Sequence, residues 1–229
     1  MADIRDSLAV ALDVDDLVVA KRLAKQLRPY FGVAKVGLEL YSAAGPDVVP
    51  AFAELGYRVF LDLKFHDIPT TVGRAARVIG ALGAQFLNMH AAGGVDMLRA
   101  GVDGLAAGAA AAGLTPPTAL GVTILTSEVN APRDLMVERI ETTLKAGCGG
   151  VVCAASDVAT VKAIGPDLFA MVPGVRMEGD PLNDQGRPAT PAAALAAGAD
   201  VVILGRSVTA AADPVEAAAR LMESLEPAR

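Results

Sequence analysis

Asp62, Lys64 and Asp67 close an apolar run in Val59-Phe-Leu-Asp-Leu-Lys-Phe-His-Asp-Ile-Pro-Thr-Thr-Val72. Side chains alternate along a strand, so Asp62 and Lys64 project to the same side. Their neighbours are hydrophobic, which makes that side the interior of a barrel or cleft, where unpaired charge is costly. A lysine held between two carboxylates stays an ammonium and is a fixed proton donor. A lone Asp-x-Lys at a strand end is commonly a structural ion pair. The third carboxylate, and the polar residues found at corresponding places elsewhere in the chain, favour chemistry over structure.

Charges of this kind need rigid elements to hold them, and the pattern supplies such elements at regular intervals. Strand-like runs occur at Leu8–Leu12, Val33–Gly37, Arg58–Leu63, Phe86–Met89, Thr118–Val122, Gly150–Cys153, Phe169–Val172 and Val201–Leu204. Helical patterns lie between them at Leu17–Leu27, Asp47–Leu55, Thr71–Leu82, Val95–Ala112, Asp134–Ala146, Val158–Ile164, Pro191–Ala197 and Pro214–Leu225. Several helices stop at a glycine: Gly56, Gly83, Gly147 and Gly198. Repeated strand–helix units with short loops form a parallel sheet, and eight of them close into a (β/α)₈ barrel. A doubly wound open sheet is disfavoured because no Gly-x-Gly-x-x-Gly follows the first strand. Residues 1–229 read as one domain, without a linker or compositional break.

Composition narrows the chemistry further. Hydrophobic residues make up 53% but aromatics only 4%, so the core is built from Ala, Val, Leu and Ile, as in a covered parallel sheet. The 20 basic residues fall short of the 26 acidic ones, and the net charge of −6 argues against nucleic acid or an anionic membrane as partner. A small anionic substrate remains compatible, since it needs only a local basic pocket. Cys148 and Cys153 read as reduced core thiols; with only His66 and His90 to join them, no metal site is expected. The N-terminus has no apolar targeting segment and no run is a credible membrane span, so a soluble, cytoplasmic protein is expected.

In a barrel of this kind, catalytic groups lie at the C-terminal ends of strands and on the loops that enter the helices. The polar residues fall there. Asp13 closes strand 1, Lys35 lies in strand 2, Asp62 and Lys64 close strand 3, and His90 closes strand 4. Thr126 and Ser127 follow strand 5, Arg176 follows strand 7, and Gly205 and Arg206 follow strand 8. Pro173-Gly-Val-Arg176 and Gly205-Arg-Ser207 come after the last two strands, where such barrels hold phosphate on backbone N–H groups and arginine. Residues 177–190 form a long polar stretch, read as a lid over the site.

The ordered set of motifs resembles the orotidine 5′-phosphate decarboxylase family. It comprises Leu8-Ala-Val-Ala-Leu-Asp13, Ala34-Lys-Val-Gly37, Asp62-Leu-Lys-Phe-His-Asp-Ile-Pro69, Leu125-Thr-Ser127, Pro173-Gly-Val-Arg176, Asp184-Gln185 and Gly205-Arg-Ser207, and covers nearly the whole chain. The resemblance implies conversion of orotidine 5′-phosphate to uridine 5′-phosphate and CO₂, the last step of UMP synthesis, with no metal and no cofactor. It also implies a homodimer with shared sites. Lys64 would protonate C6, Asp62 would face the departing carboxylate, and Lys35 and Asp67 would complete an alternating charged array, Asp67 reaching in from the partner subunit. Asp13 and Lys35 would take the ribose hydroxyls, joined by Thr71 of the partner subunit. Thr126 would bond the pyrimidine edge, Gln185 would bridge base and phosphate, and Arg176, Gly205 and Arg206 would hold the phosphate.

Two rivals share the barrel. Mg²⁺-dependent sugar-phosphate decarboxylases and hexulose-phosphate synthases carry the same third-strand motif, but they resemble this chain less at strand 2, where they place a Glu and this chain has Lys35. They also use a later histidine, and none follows His90 here. A barrel that binds a nucleotide phosphate without chemistry would lack a member of the charged array, and all four are present. His66, which follows Lys64, is expected to point away from it and pack toward the helix layer, His90 to make a structural hydrogen bond, and Asp15-Asp16 to start a helix.

Overall fold

The structure is a computed structural model that describes residues 3–128, 131–177 and 189–225. Eight parallel strands close into a barrel in sequential order: β1 (Leu8–Ala11), β2 (Val33–Gly37), β3 (Arg58–Phe65), β4 (Phe86–His90), β5 (Thr118–Val122), β6 (Gly150–Val152), β7 (Phe169–Val172) and β8 (Val201–Leu204). The last strand returns to the first through Leu8↔Val202 and Val10↔Leu204. Closure leaves no strand edge unpaired, so every ladder can satisfy its backbone groups.

The helices are α1 (Leu17–Leu27), α2 (Leu38–Ala44), α3 (Val48–Ala53), α4 (Pro69–Gly80), α5 (Gly94–Ala112), α6 (Arg133–Lys145), α7 (Val158–Ile164), α8 (Pro191–Ala196), α9 (Arg206–Thr209) and α10 (Pro214–Leu225). Alternation along the strands divides the core in two. Leu8, Val10, Ala34, Val36, Val59, Leu61, Leu87 and Val202 face outward against the helices. Ala9, Ala11, Val33, Phe60, Phe86, Leu120, Val122, Val152, Met171, Val201 and Ile203 fill the barrel itself. Phe60 and Phe86 meet edge to face and Phe169 lies beside Phe86, which gives the barrel a solid apolar floor.

The (β/α)₈ expectation agrees with this architecture, and the differences are local. β3 runs two residues further than the sequence reading, to Phe65, and β4 takes in His90, while β1 and β6 each stop one residue sooner. α4 starts at Pro69 rather than Thr71, because proline is favoured in a first turn, where its missing N–H is not needed. α2 and α9 were not foreseen. The helix expected over Asp47–Leu55 is shorter, Val48–Ala53, after a single 3₁₀ turn. Asp16 caps α1 as expected, its carboxylate accepting from the Val18 and Val19 N–H groups. Of the stretch read as a lid, 177–190, only Met177, Ala189 and Thr190 are among the described residues.

Candidate active site

The C-terminal end of the barrel gathers the polar residues of β1 to β4 into one chain of contacts. The Lys35 ammonium lies 2.8 Å from Asp13 Oδ1 and 3.4 Å from Asp62 Oδ2. On the other carboxylate oxygen, Lys64 Nζ donates to Asp62 Oδ1 at 2.5 Å and Asn88 Nδ2 donates to the same atom at 2.6 Å. Asp62 is thus flanked by two ammonium groups and an amide. Burial alone would raise its carboxyl pKa, but the charges of Lys35 and Lys64 and the hydrogen bonds from Lys64 and Asn88 outweigh burial and hold it below the usual range. This stabilisation is present above the ordinary carboxylate pKa of about 4 and is lost as pH falls through the lower folded value.

Local backbone explains how the pieces fit. β3 and β4 pair at Leu61↔Leu87 and again at Phe65↔Met89, with a register shift between. Inside that shift Lys64 adopts φ 49°, the one positive φ outside glycine among the described residues. Asp62 and Lys64 do meet on the inner side as the spacing predicted, but an irregular ladder, not plain alternation, brings them together. Gly37 on the neighbouring strand leaves room for the pair: a Cβ there would come within 2.6 Å of Asp13 Oδ1 and 3.2 Å of Lys35 Nζ, so the Asp13–Lys35 pair would have to shift. Gly174, at φ 79°, makes the turn after β7 that other residues rarely adopt.

Two adjoining cavities open on this array. The larger, about 480 Å³, is bounded by Asp13, Lys35, Glu39 and Asp62 on one side and by Gly174, Arg176, Gly205 and Arg206 on the other. The smaller, about 110 Å³, is bounded by Asp62, Lys64 and Thr126 together with Val122, Ile124, Val152 and Cys153. Asp62, Pro173 and Ile203 belong to both. A ligand could therefore place an anionic tail between the two arginine loops and a flat apolar group against β5 and β6, beside Lys64, with Asp62 at the junction.

Most of the residues singled out in the sequence converge here: Asp13, Lys35, Asp62, Lys64, Thr126, Arg176, Gly205 and Arg206. Asp67 and Thr71 do not. Both are exposed at the start of α4, and the Asp67 carboxylate accepts the Ile68 N–H rather than meeting Lys64, so within one chain Lys64 is not held between two carboxylates. Gln185 lies outside the described residues. His66 is exposed rather than packed against helices, with its ring 5.5 Å from that of His90, because β3 ends at Phe65 and the chain leaves the sheet there. His90 is lowered in pKa by partial burial and by the nearby charges of His66, Lys64 and Arg139. Asn88 was not anticipated. Its signal was available: it shares strand parity with the inward-facing Phe86, and a polar side chain at such a position needs a partner.

No three His, Cys, Asp or Glu side chains among the described residues converge as a cation site. The gap between Asp13 and Asp62, where two carboxylates would otherwise invite a metal ion, is filled by the Lys35 ammonium.

A closed (β/α)₈ barrel with its charged residues and paired arginine loops at the C-terminal mouth belongs to the class of barrel enzymes that act on small phosphorylated substrates. Within that class, residues 6–221 match the model of the Orotidine 5′-phosphate decarboxylase / HUMPS family, and the chain belongs to this family. It is 43% identical over 234 residues to an orotidine 5′-phosphate decarboxylase of Moorella thermoacetica, covering 97% of this chain and 93% of that one. It is 44% identical to the enzyme of the same name from Thermobifida fusca, covering 96% and 95%. The solved structure of orotidine 5′-phosphate decarboxylase from Lactobacillus acidophilus superposes with a TM-score of 0.79 at 33% identity, covering 97% of this chain and all of that one.

Proposed function

We propose that this protein decarboxylates orotidine 5′-phosphate to uridine 5′-phosphate and CO₂, the closing reaction of UMP synthesis, without metal or organic cofactor. The observation that carries the reading is the Asp13–Lys35–Asp62–Lys64 array, in which a lysine fills the place a cation would take, Asp62 stands at the junction of the two cavities and a second lysine, paired with Asp62, lines the smaller one.

The chemistry explains why such an array is wanted. Loss of CO₂ from C6 of the orotate ring leaves an electron pair in an in-plane orbital that the ring π system cannot delocalise. Stabilisation must then come from charges arranged beforehand and from binding energy gained elsewhere on the substrate. Lys64 stabilises the developing charge and delivers a proton to C6. Asp62 orients Lys64 and opposes the substrate carboxylate, while Lys35 keeps Asp62 ionised. Asp13 and Lys35 bind the ribose hydroxyls, and Thr126 bonds the pyrimidine edge. Arg176, Gly205 and Arg206 take the phosphate. Gln185 bridges phosphate and base.

Asp67 and Thr71 act in the partner subunit of a homodimer, each reaching the neighbouring site; their exposure beside the barrel mouth supports this reading. Residues 1–229 work as one domain. Two buried thiols and the absence of a long apolar helix among the described residues support a cytoplasmic setting. Mixing Lys64→Ala and Asp67→Ala chains tests the shared site: each variant alone is expected to be nearly inactive, and reassociation to restore turnover. Failure of the mixture to recover activity would remove Asp67 from the partner's site.

The reaction itself is tested by following the ultraviolet band of orotidine 5′-phosphate with purified protein in excess EDTA. Loss of the band with wild type is the expected outcome. A stable band in EDTA, with turnover of a sugar phosphate once Mg²⁺ is added, would move the chain to the metal-dependent branch of its family.

A further inference from the structure

Asn88 has no solvent exposure and lies on β4 opposite the irregular stretch of β3. Between the pairs Leu61↔Leu87 and Phe65↔Met89, β3 advances four residues while β4 advances two, so a regular ladder cannot serve the residues between. Lys64 sits there in a left-handed conformation that a side chain with a Cβ disfavours. Its backbone N–H is satisfied by the Asn88 side chain, which accepts at Oδ1 at 2.7 Å. The other end of the same amide donates to Asp62 Oδ1 at 2.6 Å, the atom that also receives Lys64 Nζ. The reversed amide would set its NH₂ against the Lys64 N–H, two donors facing each other, so the network permits one orientation.

We propose that Asn88 is a positioning residue for the reaction: a single side-chain amide holds the Lys64 backbone in its left-handed turn and aims the Asp62 carboxylate at the Lys64 ammonium. Of the side chains with this shape, Asn alone offers an acceptor to the backbone and a donor to the carboxylate. Leucine offers neither. Aspartate keeps the acceptor but replaces the donor with a like charge against Asp62, unless it binds a proton. Asn88 lines neither cavity and acts through Asp62 and Lys64. The kinetic part of this inference rests on the decarboxylase reading; the structural part does not.

The test uses Asn88→Asp and Asn88→Ala in the full-length protein, with two readouts. Turnover of orotidine 5′-phosphate by Asn88→Asp is expected to fall at least about tenfold at pH 8 with KM changed far less, as for loss of one hydrogen bond to a charged group. Its kcat relative to wild type is expected to recover as pH falls and the new carboxyl gains a proton to donate. Hydrogen exchange of the Lys64 amide is expected to be strongly protected in wild type and to lose protection in Asn88→Ala. An Asn88→Asp profile parallel to wild type at every pH, or a Lys64 amide equally protected in Asn88→Ala, would overturn the proposal. Should Asn88→Ala fail to fold, Asn88→Asp, of the same shape, carries the kinetic test. Should wild type itself leave orotidine 5′-phosphate untouched, the functional reading fails, and the Lys64 amide exchange still decides the role of Asn88.

Discussion

Across the barrel mouth, β1 to β3 and the loop after β1 present Asp13, Lys35, Asp62 and Lys64, with Asn88 of β4 buried behind the last two, whereas β5, β6 and the segments after them face these charges with Val122, Ile124, Val152, Cys153 and a single hydroxyl, Thr126. One wall is a linked series of charges and the other is nearly devoid of polar groups. Each depends on its counterpart. Charges facing water are screened, and the same charges facing an apolar wall act on a bound ring at close to full strength. The apolar wall in turn has only the Thr126 hydroxyl with which to orient a ligand; the charged wall and the arginine loops supply the rest. Neither wall moves easily, because Phe60, Phe86 and Phe169 pack the floor beneath both.

The contrast makes graded predictions. Lys64→Ala removes the proposed proton donor and is expected to lower kcat by roughly 10⁴-fold or more, the upper range for positioned proton transfer, with the fold intact by circular dichroism. A loss of only a few-fold would shift the chemistry off the charged wall. Gly37→Ala keeps every charged residue but drives a Cβ against Asp13 and Lys35, so kcat/KM is expected to drop by about 10- to 100-fold, the scale of one charged hydrogen bond. Unchanged kinetics in that variant would mean that the Asp13–Lys35 spacing is not critical. Val152→Thr places a hydroxyl on the apolar wall and is expected to cost about 1–2 kcal/mol in substrate affinity, measured by titration with the product. An effect as large as that of Lys64→Ala would erase the distinction between the walls.

The smallest effect concerns pH. His90 has a folded pKa below the ordinary value of about 6.5, so the folded state binds its proton less readily than the unfolded chain. Stability is therefore expected to decline as pH falls from about 6.5 through the folded pKa, and His90→Gln to flatten that slope in thermal melts at graded pH. An unaltered slope would exclude His90 as the source.

How much of this was legible beforehand follows from which signals are local. Eight strands and most helices could be read because apolar runs of four or five residues are separated by helical periods ending in glycine. α9 escaped because it is a four-residue turn, too brief to show a period, and α2 because it follows β2 at once, with no loop to set it apart from the strand. The charged array was visible in Asp62, Lys64 and Lys35 because charge is rare in strands. Asn88 was not noticed, since a neutral amide inside Phe-Leu-Asn-Met-His attracts no attention until its partners are known. The left-handed backbone at Lys64 has no sequence signal at all: it arises from the mismatch of β3 and β4, a property of the pairing rather than of either strand. Asp67 and Thr71 show the opposite limit: legible by motif, yet exposed at the start of α4 and apart from the charged array.

The most direct test of the central claim is exchange of the C6 hydrogen of uridine 5′-phosphate with D₂O, followed by proton NMR. Protonation at C6 by Lys64 must run in reverse through the same group, so wild type is expected to wash deuterium into C6 and Lys64→Ala to leave the C6 proton signal unchanged. Undiminished exchange in Lys64→Ala would contradict the assignment of Lys64 as the proton donor.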